Sequence, residues 1–168
     1  MPEIIKVYKQ SVGAMKFIGK KYSNDDRVNG SFGTKWGEWF GNGWFDVIEN
    51  QFDGNLADVL EDGGSYIGLI REEHGGLFEY WIGIFVPEKT SVPDGFEFID
   101  FPPGDLGVCW IYGKEEDVYM LEGECGERLK KEGFDLNINF CFERYVCPRF
   151  TTPDEKGNII LDICFYLK

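Results

Sequence analysis

Several residue types that build catalytic and metal sites are scarce in this chain. His74 is the only histidine, and the five cysteines are odd in number and lack CxxC spacing. Zinc sites and Cys–His dyads need clustered ligands of these two types, so the sequence predicts no metal site. Phosphate-binding loops, nucleophile elbows and dinucleotide fingerprints are also missing. We therefore expect no cofactor.

Basic residues are outnumbered. Lysine and arginine together number 17 against 30 acidic residues, which gives a net charge of −13. Phosphate backbones would repel such a chain, so we expect no direct binding of nucleic acid. The same charge favours cationic ligands near the surface. It also permits a protein-interaction module whose acidic surface imitates nucleic acid, and the protein partner of such a module is unknown.

Long apolar runs are missing as well. The amino-terminal residues MPEIIKVYKQ enter a strand pattern at once and have no signal-peptide layout. No stretch has the length of a membrane span. The sequence therefore predicts no membrane association and a cytoplasmic location, where the cysteines would be reduced core thiols.

Aromatic residues, in contrast, are abundant. They make up 17% of the chain, with 15 Phe, 8 Tyr and 5 Trp. This is more than an ordinary core of 168 residues needs, so some of them are expected to line a cavity or an interface.

An internal repeat organises the chain. The segment VGAMKFIGK at 12–20 aligns without a gap to LGVCWIYGK at 106–114, with two glycines and a lysine identical. A bend accompanies each segment, at 11–13 and at 102–104, and a strand–helix–strand–strand order follows in both halves. These features predict a single α+β domain over 1–168, built from β-α-β-β halves at about 1–90 and 91–168. The halves would be related by pseudo-twofold symmetry, with helices on one side of an antiparallel sheet and a central ligand cavity on the other.

Hydrophobic periodicity and turn residues place the remaining elements. The predicted elements are two short helices in 33–52, strands at 65–71 and 78–86, one helix over 115–131 capped by Gly133, and a terminal strand pair. The two strands at 65–71 and 78–86 form a predicted hairpin whose turn, at 73–76, contains His74. A turn histidine of this kind has no expected function.

Period-two alternation separates the strand faces. In FCFERYV at 140–146, alternate residues Cys141, Glu143 and Tyr145 share one face. In the last strand, Asp162 and Cys164 lie opposite the apolar stripe that would pack on the helices. Aligning the last strand with 78–86 places two further residues on the cavity face. The predicted ligand-binding residues are Glu143, Tyr145, Cys141, Asp162, Cys164, Glu79, Trp81 and Trp110.

A carboxylate among aromatic rings has a definite chemistry. Desolvation raises the pKa of the carboxyl, and a delocalised organic cation would relieve the penalty through ion pairing and cation–π attraction. The same raised pKa suits a general acid, with Glu143 and Tyr145 as catalytic residues. Other interpretations stay open. For Glu143 the alternatives are a surface position or a salt bridge with Arg144 or Arg149. For Asp162 the alternative is exposure to water, and for Trp110 it is a place in the core.

The quoted segments resemble a known family, the GyrI-like small-molecule-binding domain, also called the bacterial transcription-activator effector-binding domain. FEFIDFPPGDLGVCWIYGK resembles the family's bent strand before a helix, and FERYV resembles its Phe-Glu-x-Tyr element. LDICFYLK resembles its closing strand, and FEYWIGIFVPEKTSVPDGFEFI resembles the join between its halves. The resemblance covers nearly the whole chain.

The resemblance implies a duplicated fold whose cavity floor carries the Glu of Phe-Glu-x-Tyr, here Glu143, with Tyr145 beside it. The acidic residue of the closing strand corresponds to Asp162, and Cys164 stands where several relatives have an aromatic residue. The implied function is that of a stand-alone bacterial sensor or sequestering protein for aromatic or cationic lipophilic molecules, of the multidrug-binding kind related to transcription regulators. Hydrolysis of strained cyclopropane-bearing natural products and inhibition of gyrase are the alternatives that it implies.

Overall fold

The computed structural model describes residues 1–72 and 76–168 of the chain. The strands are β1 Glu3–Val12, β2 Met15–Tyr22, β3 Tyr66–Glu72, β4 Phe78–Pro87, β5 Glu97–Phe101, β6 Gly104–Gly113, β7 Leu136–Tyr145 and β8 Ile159–Leu167. The helices are α1 Gly33–Asn42, α2 Trp44–Glu49, α3 Leu56–Val59, α4 Glu115–Val118 and α5 Glu122–Lys131, with 3-10 turns at Asn24–Asp26 and Tyr119–Leu121.

The chain divides into two compact units. The first unit combines Met1–Val12 with Pro103–Lys168, and the second unit is Gly13–Pro102. In the first unit the strand order is β1-β6-β8-β7, and in the second it is β3-β4-β2-β5. Neighbouring strands within each unit pair antiparallel. Helices and antiparallel strands are thus combined in each unit, which confirms the predicted α+β class.

The two predicted bends are the points at which the chain passes from one unit to the other. β1 ends at Val12 and pairs with β6, whereas β2 begins at Met15 and pairs with β4 and β5. The second bend, after Phe101, separates β5 from β6 in the same way. The first unit therefore holds a strand–helix–strand–strand series from β6 to β8 together with β1. The second unit holds such a series from β2 to β4 together with β5. The units differ from the halves 1–90 and 91–168, and the division into those halves stays a prediction.

Helices α1, α2 and α3 cover one face of the sheet in the second unit. The buried residues of this core are Ile18, Phe32, Trp39, Phe45, Ile48, Leu56, Tyr80, Ile82, Ile84 and Val86. Two short helices were predicted for 33–52, and the structure confirms them. They are separated at Gly43, whose φ of 64° lies in the left-handed region that glycine adopts without strain. The short helix α3 was not predicted.

The helical segment of the first unit is interrupted. One helix was predicted over 115–131, but a 3-10 turn at Tyr119–Leu121 separates α4 from α5. Val118, Cys125 and Leu129 form an apolar stripe on these helices and are fully buried against β6, β7 and β8. The predicted capping glycine ends α5, with Gly133 at φ 93°. The interruption leaves the Tyr119 side chain 38% exposed beside the sheet.

Three further expectations concern the hairpin, the cysteines and membrane spans. β3 and β4 pair as predicted, but the turn residues 73–75, His74 among them, lie outside the described residues. All five cysteines are described and none forms a disulfide, yet Cys147 is exposed and so is not a core thiol. Within the two described stretches, no helix is long and apolar enough to cross a membrane.

Candidate functional site

The register of β7 on β8 decides where Glu143 lies. Glu143 pairs with Ile163, which belongs to the core beneath α5, and Arg144 pairs with Asp162. Glu143 therefore lies on the helix-covered face, and Asp162 lies on the opposite face. The prediction that these two carboxylates share one face is wrong. Alternation within a strand sorts its residues into two sets, but only the register shows which set faces the helices.

Glu143 is part of a group of polar and aromatic side chains that we call the tyrosine–glutamate cluster, defined by Glu143, Tyr145, Tyr119 and Glu122. The Tyr145 hydroxyl donates a hydrogen bond to Glu143 Oε2 at 2.8 Å. The Tyr119 hydroxyl lies 3.5 Å from the Tyr145 hydroxyl. Glu122 is included because Glu143 acts on the pKa of its carboxyl. The Phe150 ring packs edge-on against Tyr145 at 4.7 Å between centroids.

Three elements bring this cluster together. Glu143 and Tyr145 are two positions apart on β7, so they point to the same face. Tyr119 opens the 3-10 turn, and Glu122 is the first residue of α5. A carboxylate in the first turn of a helix is favoured by the helix dipole. The break between α4 and α5 thus places one tyrosine and one carboxyl beside the β7 pair.

Burial and like charges shape the electrostatics of the cluster. Burial raises the pKa of the Glu122 carboxyl above its usual value, and the hydrogen bond with Glu143 offsets part of that rise. Burial also raises the pKa of Tyr119 to about 12; the hydrogen bond with Tyr145 lowers it, and the charges of Glu143, Glu115 and Glu122 add to the rise. Negative charge is therefore concentrated around two tyrosine hydroxyls.

Asp162 has quite different surroundings. Its side chain is fully buried, and its carboxylate accepts hydrogen bonds at 2.9 Å from Arg144 Nε and from Arg149 Nε. Arg144 Nη1 also donates to Gln10 Oε1 at 2.9 Å. Two guanidinium groups thus compensate the charge of Asp162. The predicted ligand residue Cys164 is buried on the same face of the sheet, two positions along β8.

Trp110 belongs with the Asp162 group rather than with Glu143. Its ring lies 4.6 Å from Lys6 Nζ and 4.5 Å from the Arg149 guanidinium carbon. Tyr8 meets the ring edge-on at 5.9 Å between centroids. The protein's own cations therefore already occupy positions over this aromatic side chain.

Glu79 and Trp81 lie in the second unit, on the strand face opposite the helix-packed Ile82. Arg71 Nε donates to Glu79 Oε1 at 2.7 Å, and Trp81 Nε1 donates to the same oxygen at 3.1 Å. Lys21 Nζ lies 3.9 Å from Glu79 Oε2. Burial alone would raise the pKa of the Glu79 carboxyl, but these hydrogen bonds and positive charges together lower it below its usual value.

The predicted site residues thus fall into three groups. Glu143, Tyr145 and Cys141 share the helix-covered face of the first unit, Asp162, Cys164 and Trp110 share its other face, and Glu79 and Trp81 are in the second unit. Sequence reasoning missed Tyr119 and Glu122. A signal existed, because residues three apart in a helical segment lie on one face.

Comparisons with known structures identify the fold. A candidate bacterial transcription regulation protein from Staphylococcus aureus MU50 is similar over 98% of this chain and 99% of its own, with 16% identity and a TM-score of 0.67. SAV2435, solved with bound tetraphenylphosphonium, is similar over 98% of this chain and 94% of its own, with 15% identity and a TM-score of 0.69. A hydrolase from Listeria innocua is similar over 97% and 92%, with 9% identity and a TM-score of 0.54.

At these identities the likeness establishes the fold. It is the fold of the GyrI-like effector-binding domains, and to that extent the resemblance in the sequence is confirmed. Protein-family models and curated protein sequences give no match.

Proposed function

We propose that the protein binds organic cations with aromatic groups, and that the tyrosine–glutamate cluster of the first unit is the binding site. The observation that carries the proposal is the grouping of tyrosine hydroxyls with carboxylates on the helix-covered face. The Tyr145 hydroxyl donates to Glu143 Oε2 at 2.8 Å, and the Tyr119 hydroxyl lies 3.5 Å from the Tyr145 hydroxyl.

The chemistry of the cluster suits such a ligand. The charges of Glu115, Glu122 and Glu143 all act on the Tyr119 hydroxyl. Carboxylates in a half-buried setting gain most from a cation that is itself weakly hydrated, and aromatic faces add cation–π attraction. A lipophilic cation with delocalised or shielded charge fits these conditions better than a small hydrated metal ion.

The structural neighbours support this class of ligand. SAV2435 was solved with a lipophilic phosphonium cation, and a second neighbour carries a transcription regulation description. The role we propose for the present chain is that of a bacterial cytoplasmic sensor or sequestering protein for cationic lipophilic compounds, including drug-like ones.

The proposal predicts that Glu143→Gln weakens the binding of tetraphenylphosphonium about tenfold, which corresponds to about 1.4 kcal/mol. The variant keeps the size of the side chain but removes the charge that the cation would pair with. Isothermal titration calorimetry on the wild type and the variant measures the change, with triphenylphosphine oxide as a neutral ligand of similar shape. The neutral ligand should bind both proteins equally.

Glu97→Gln is the matched control. It makes the same change in net charge, from −13 to −12, at an exposed position of β5 in the second unit. Equal weakening by both substitutions would show that only the overall charge matters. No binding of any cation by the wild type would refute the proposed function.

A second function is favoured by one observation, the Glu143 carboxylate hydrogen-bonded to the Tyr145 hydroxyl. Such a carboxylate can accept a proton from water as the water attacks a ring carbon, and it can return the proton to the electron-withdrawing group that receives the electrons of the broken carbon–carbon bond. Hydrolysis of a strained cyclopropane-bearing substrate is therefore chemically possible. One of the structural neighbours is described as a hydrolase. Turnover that Glu143→Gln abolishes while binding persists would favour the enzyme, and binding without turnover would favour the sensor.

A further inference from the structure

The outermost strands of the two units carry charges of opposite sign. In the part of the chain that the structure describes, β1 ends the strand order of the first unit and pairs only with β6, and β5 ends that of the second unit and pairs only with β2. The charged residues are Lys6 and Lys9 on β1, and Glu97 and Asp100 on β5. All four are exposed, and within residues 1–72 and 76–168 none of them forms an ion pair.

The neighbours of these side chains leave their charges available. Lys6 Nζ lies 4.6 Å from the centre of the Trp110 ring, so its nearby partner is an aromatic face rather than a carboxylate. Asp100 stands opposite Lys16 in the pairing of β5 with β2, but Lys16 Nζ donates to the Thr90 carbonyl at 3.3 Å. A carboxylate on one strand edge and an ammonium group on the other can therefore still gain a partner from outside the molecule.

We propose that β1 of one molecule pairs antiparallel with β5 of a second copy of this chain. Both pairs of charges are three residues apart, so a single register places Lys9 opposite Glu97 and Lys6 opposite Asp100. Residues three apart on a strand point to opposite faces, so one ion pair would form on each face of the joined strands. The interface lies outside the tyrosine–glutamate cluster, and the inference is independent of the proposed function.

The apolar residues between the charges agree with this register. Phe98, which is 49% exposed, would lie opposite Tyr8, and Val7 would lie opposite Ile99. Aromatic cross-strand pairs are favourable in antiparallel sheets. A parallel alignment would also bring the opposite charges together, but it would place Val7 opposite Phe98 and lose the aromatic pair. Antiparallel pairing is also the commoner kind.

The distribution of charge selects unlike edges. Two β1 edges would bring lysines together, and two β5 edges would bring carboxylates together, so both like pairings are disfavoured. Each molecule offers one edge of each kind, and association is therefore head-to-tail, into a closed ring or an open chain. Five residue pairs make a small interface between molecules of net charge −13, so the association should be weak and should depend on protein concentration.

Analytical ultracentrifugation of charge-reversed variants tests the pairing. The wild type should associate as its concentration is raised into the millimolar range, and about 1 M salt, where the Debye length is about 3 Å, should weaken this association. Lys6→Glu/Lys9→Glu and Glu97→Lys/Asp100→Lys should each lower the association constant about tenfold or more. An equimolar mixture of the two variants should associate again, because each variant supplies the edge that the other requires. Mixing would not repair a folding defect.

A matched control separates the edge from the overall charge. Glu97→Lys/Asp100→Lys makes the chain less negative by four charges, so general repulsion alone would predict stronger association, whereas the proposal predicts weaker association. Asp53→Lys/Glu61→Lys makes the same change at exposed positions of the second unit outside β5. This control should associate at least as strongly as the wild type.

Backbone amide NMR locates the contact. The chemical shifts that change with concentration should belong to residues of β1 and β5, and they should stay constant in either charge-reversed variant alone. A wild type that remains monomeric up to millimolar concentration would overturn the proposal. So would association that persists in both charge-reversed variants, or a mixture of the two that does not associate.

Discussion

Two carboxylates on the neighbouring strands β7 and β8 have different hydrogen-bond partners. Asp162 is enclosed by Arg144 and Arg149, whereas Glu143 accepts a hydrogen bond from Tyr145. Desolvation penalises both carboxylates, and two guanidinium groups compensate the charge of Asp162. Asp162 therefore belongs to a structural ion cluster, and Glu143 belongs to the cluster that we propose as the ligand site.

The ion cluster gives a prediction for stability. Asp162→Asn keeps the shape of the side chain but leaves two arginines, one of them buried, without their counter-charge. Removing one partner of a buried ion pair destabilises a protein by about 3–5 kcal/mol, so we expect a loss of that size in the free energy of unfolding. Urea denaturation followed by tryptophan fluorescence measures it.

Asp135→Asn is the control for that measurement. Asp135 also faces a basic residue, with Lys168 Nζ at 3.9 Å, but both side chains are largely exposed. Surface ion pairs of this kind contribute about 0–1 kcal/mol. If the two substitutions had equal effects, the Asp162 cluster would not hold the first unit together in the way the geometry indicates.

At the scale of single residues, the sequence predicted the alternation correctly and the grouping incorrectly. Cys141, Glu143 and Tyr145 do share a face, as do Asp162 and Cys164. Their assignment to one common face failed because it depended on the pairing of two strands that are separated by a long loop. Nothing local in either strand fixes that register.

At the scale of elements, the internal repeat has a steric explanation at one of its two glycine positions. A Cβ on Gly19 would lie 2.2 Å from the carbonyl oxygen of Ile82, and one on Gly113 would lie 3.0 Å from Pro2 Cα. Both sites require close approach of another backbone. The other repeated pair is less uniform. Gly107 packs against leucine side chains, but nothing lies near Gly13.

The lysine that follows each of the tightly packed glycines also has a common role. Lys20 Nζ donates to the carbonyl of Gly95 at 2.8 Å, and Lys114 Nζ donates to the carbonyl of Lys156. Both bonds tie the end of a central strand to the loop before a later strand. The repeated Gly-Lys dipeptide is therefore explained by backbone packing followed by loop anchoring.

Backbone packing of this kind predicts a large effect of a small substitution. Gly83 pairs with Gly19 across β2 and β4, and a Cβ there would lie 2.1 Å from the carbonyl oxygen of Ile18. Because both obstacles are backbone atoms, Gly19→Ala and Gly83→Ala should each lower the free energy of unfolding by about 3 kcal/mol. Chemical denaturation of the two variants provides the measurement.

Gly104→Ala tests whether the effect is steric. Gly104 also belongs to a strand, β6, but no atom lies within 4 Å of the position its Cβ would take. We expect a change within about 0.5 kcal/mol there. A comparable loss at Gly104 would mean that the glycines act through backbone flexibility rather than through close approach.

The bounds of helices and strands could be predicted where the local sequence determines them. They were harder to predict where the packing of distant residues determines them. Gly43 divides α1 from α2 because it adopts a left-handed conformation, and the glycine-rich interruption at 41–43 indicated a break. The break at Tyr119–Leu121 has no glycine or proline to mark it. It was missed for that reason, and the two cluster residues that depend on it were missed with it.

At the scale of the whole molecule, the route of the chain through its sheets has consequences for folding. β1 belongs to the first half of the sequence but pairs with β6 in the second half, and β5 belongs to the second half but pairs with β2 in the first. Neither half of the sequence therefore contains the complete set of strands of a unit. Each half would expose an unpaired strand edge if it were alone.

This arrangement predicts the behaviour of a divided chain. Fragments 1–90 and 91–168, each produced alone, should lack the dispersed NMR spectrum of a folded protein, because each lacks a sheet strand that the other supplies. Mixed together, they should associate and recover that spectrum. A native-like spectrum from either fragment alone would show that the exchanged strands are dispensable and that the halves fold independently.

The exchanged strands also suggest how such a chain can originate. A polypeptide of one repeat would carry a first strand whose partner lies in a second copy, and two copies that trade this strand would form a swapped dimer. After duplication and fusion, the strand exchange occurs within one chain, and the two copies are able to diverge in sequence. Where the present chain has Glu143 opposite Ile163, the other unit has Gly68 opposite Ile82. A symmetric dimer would have to carry its acidic residue twice, whereas the fused chain keeps it in one copy only.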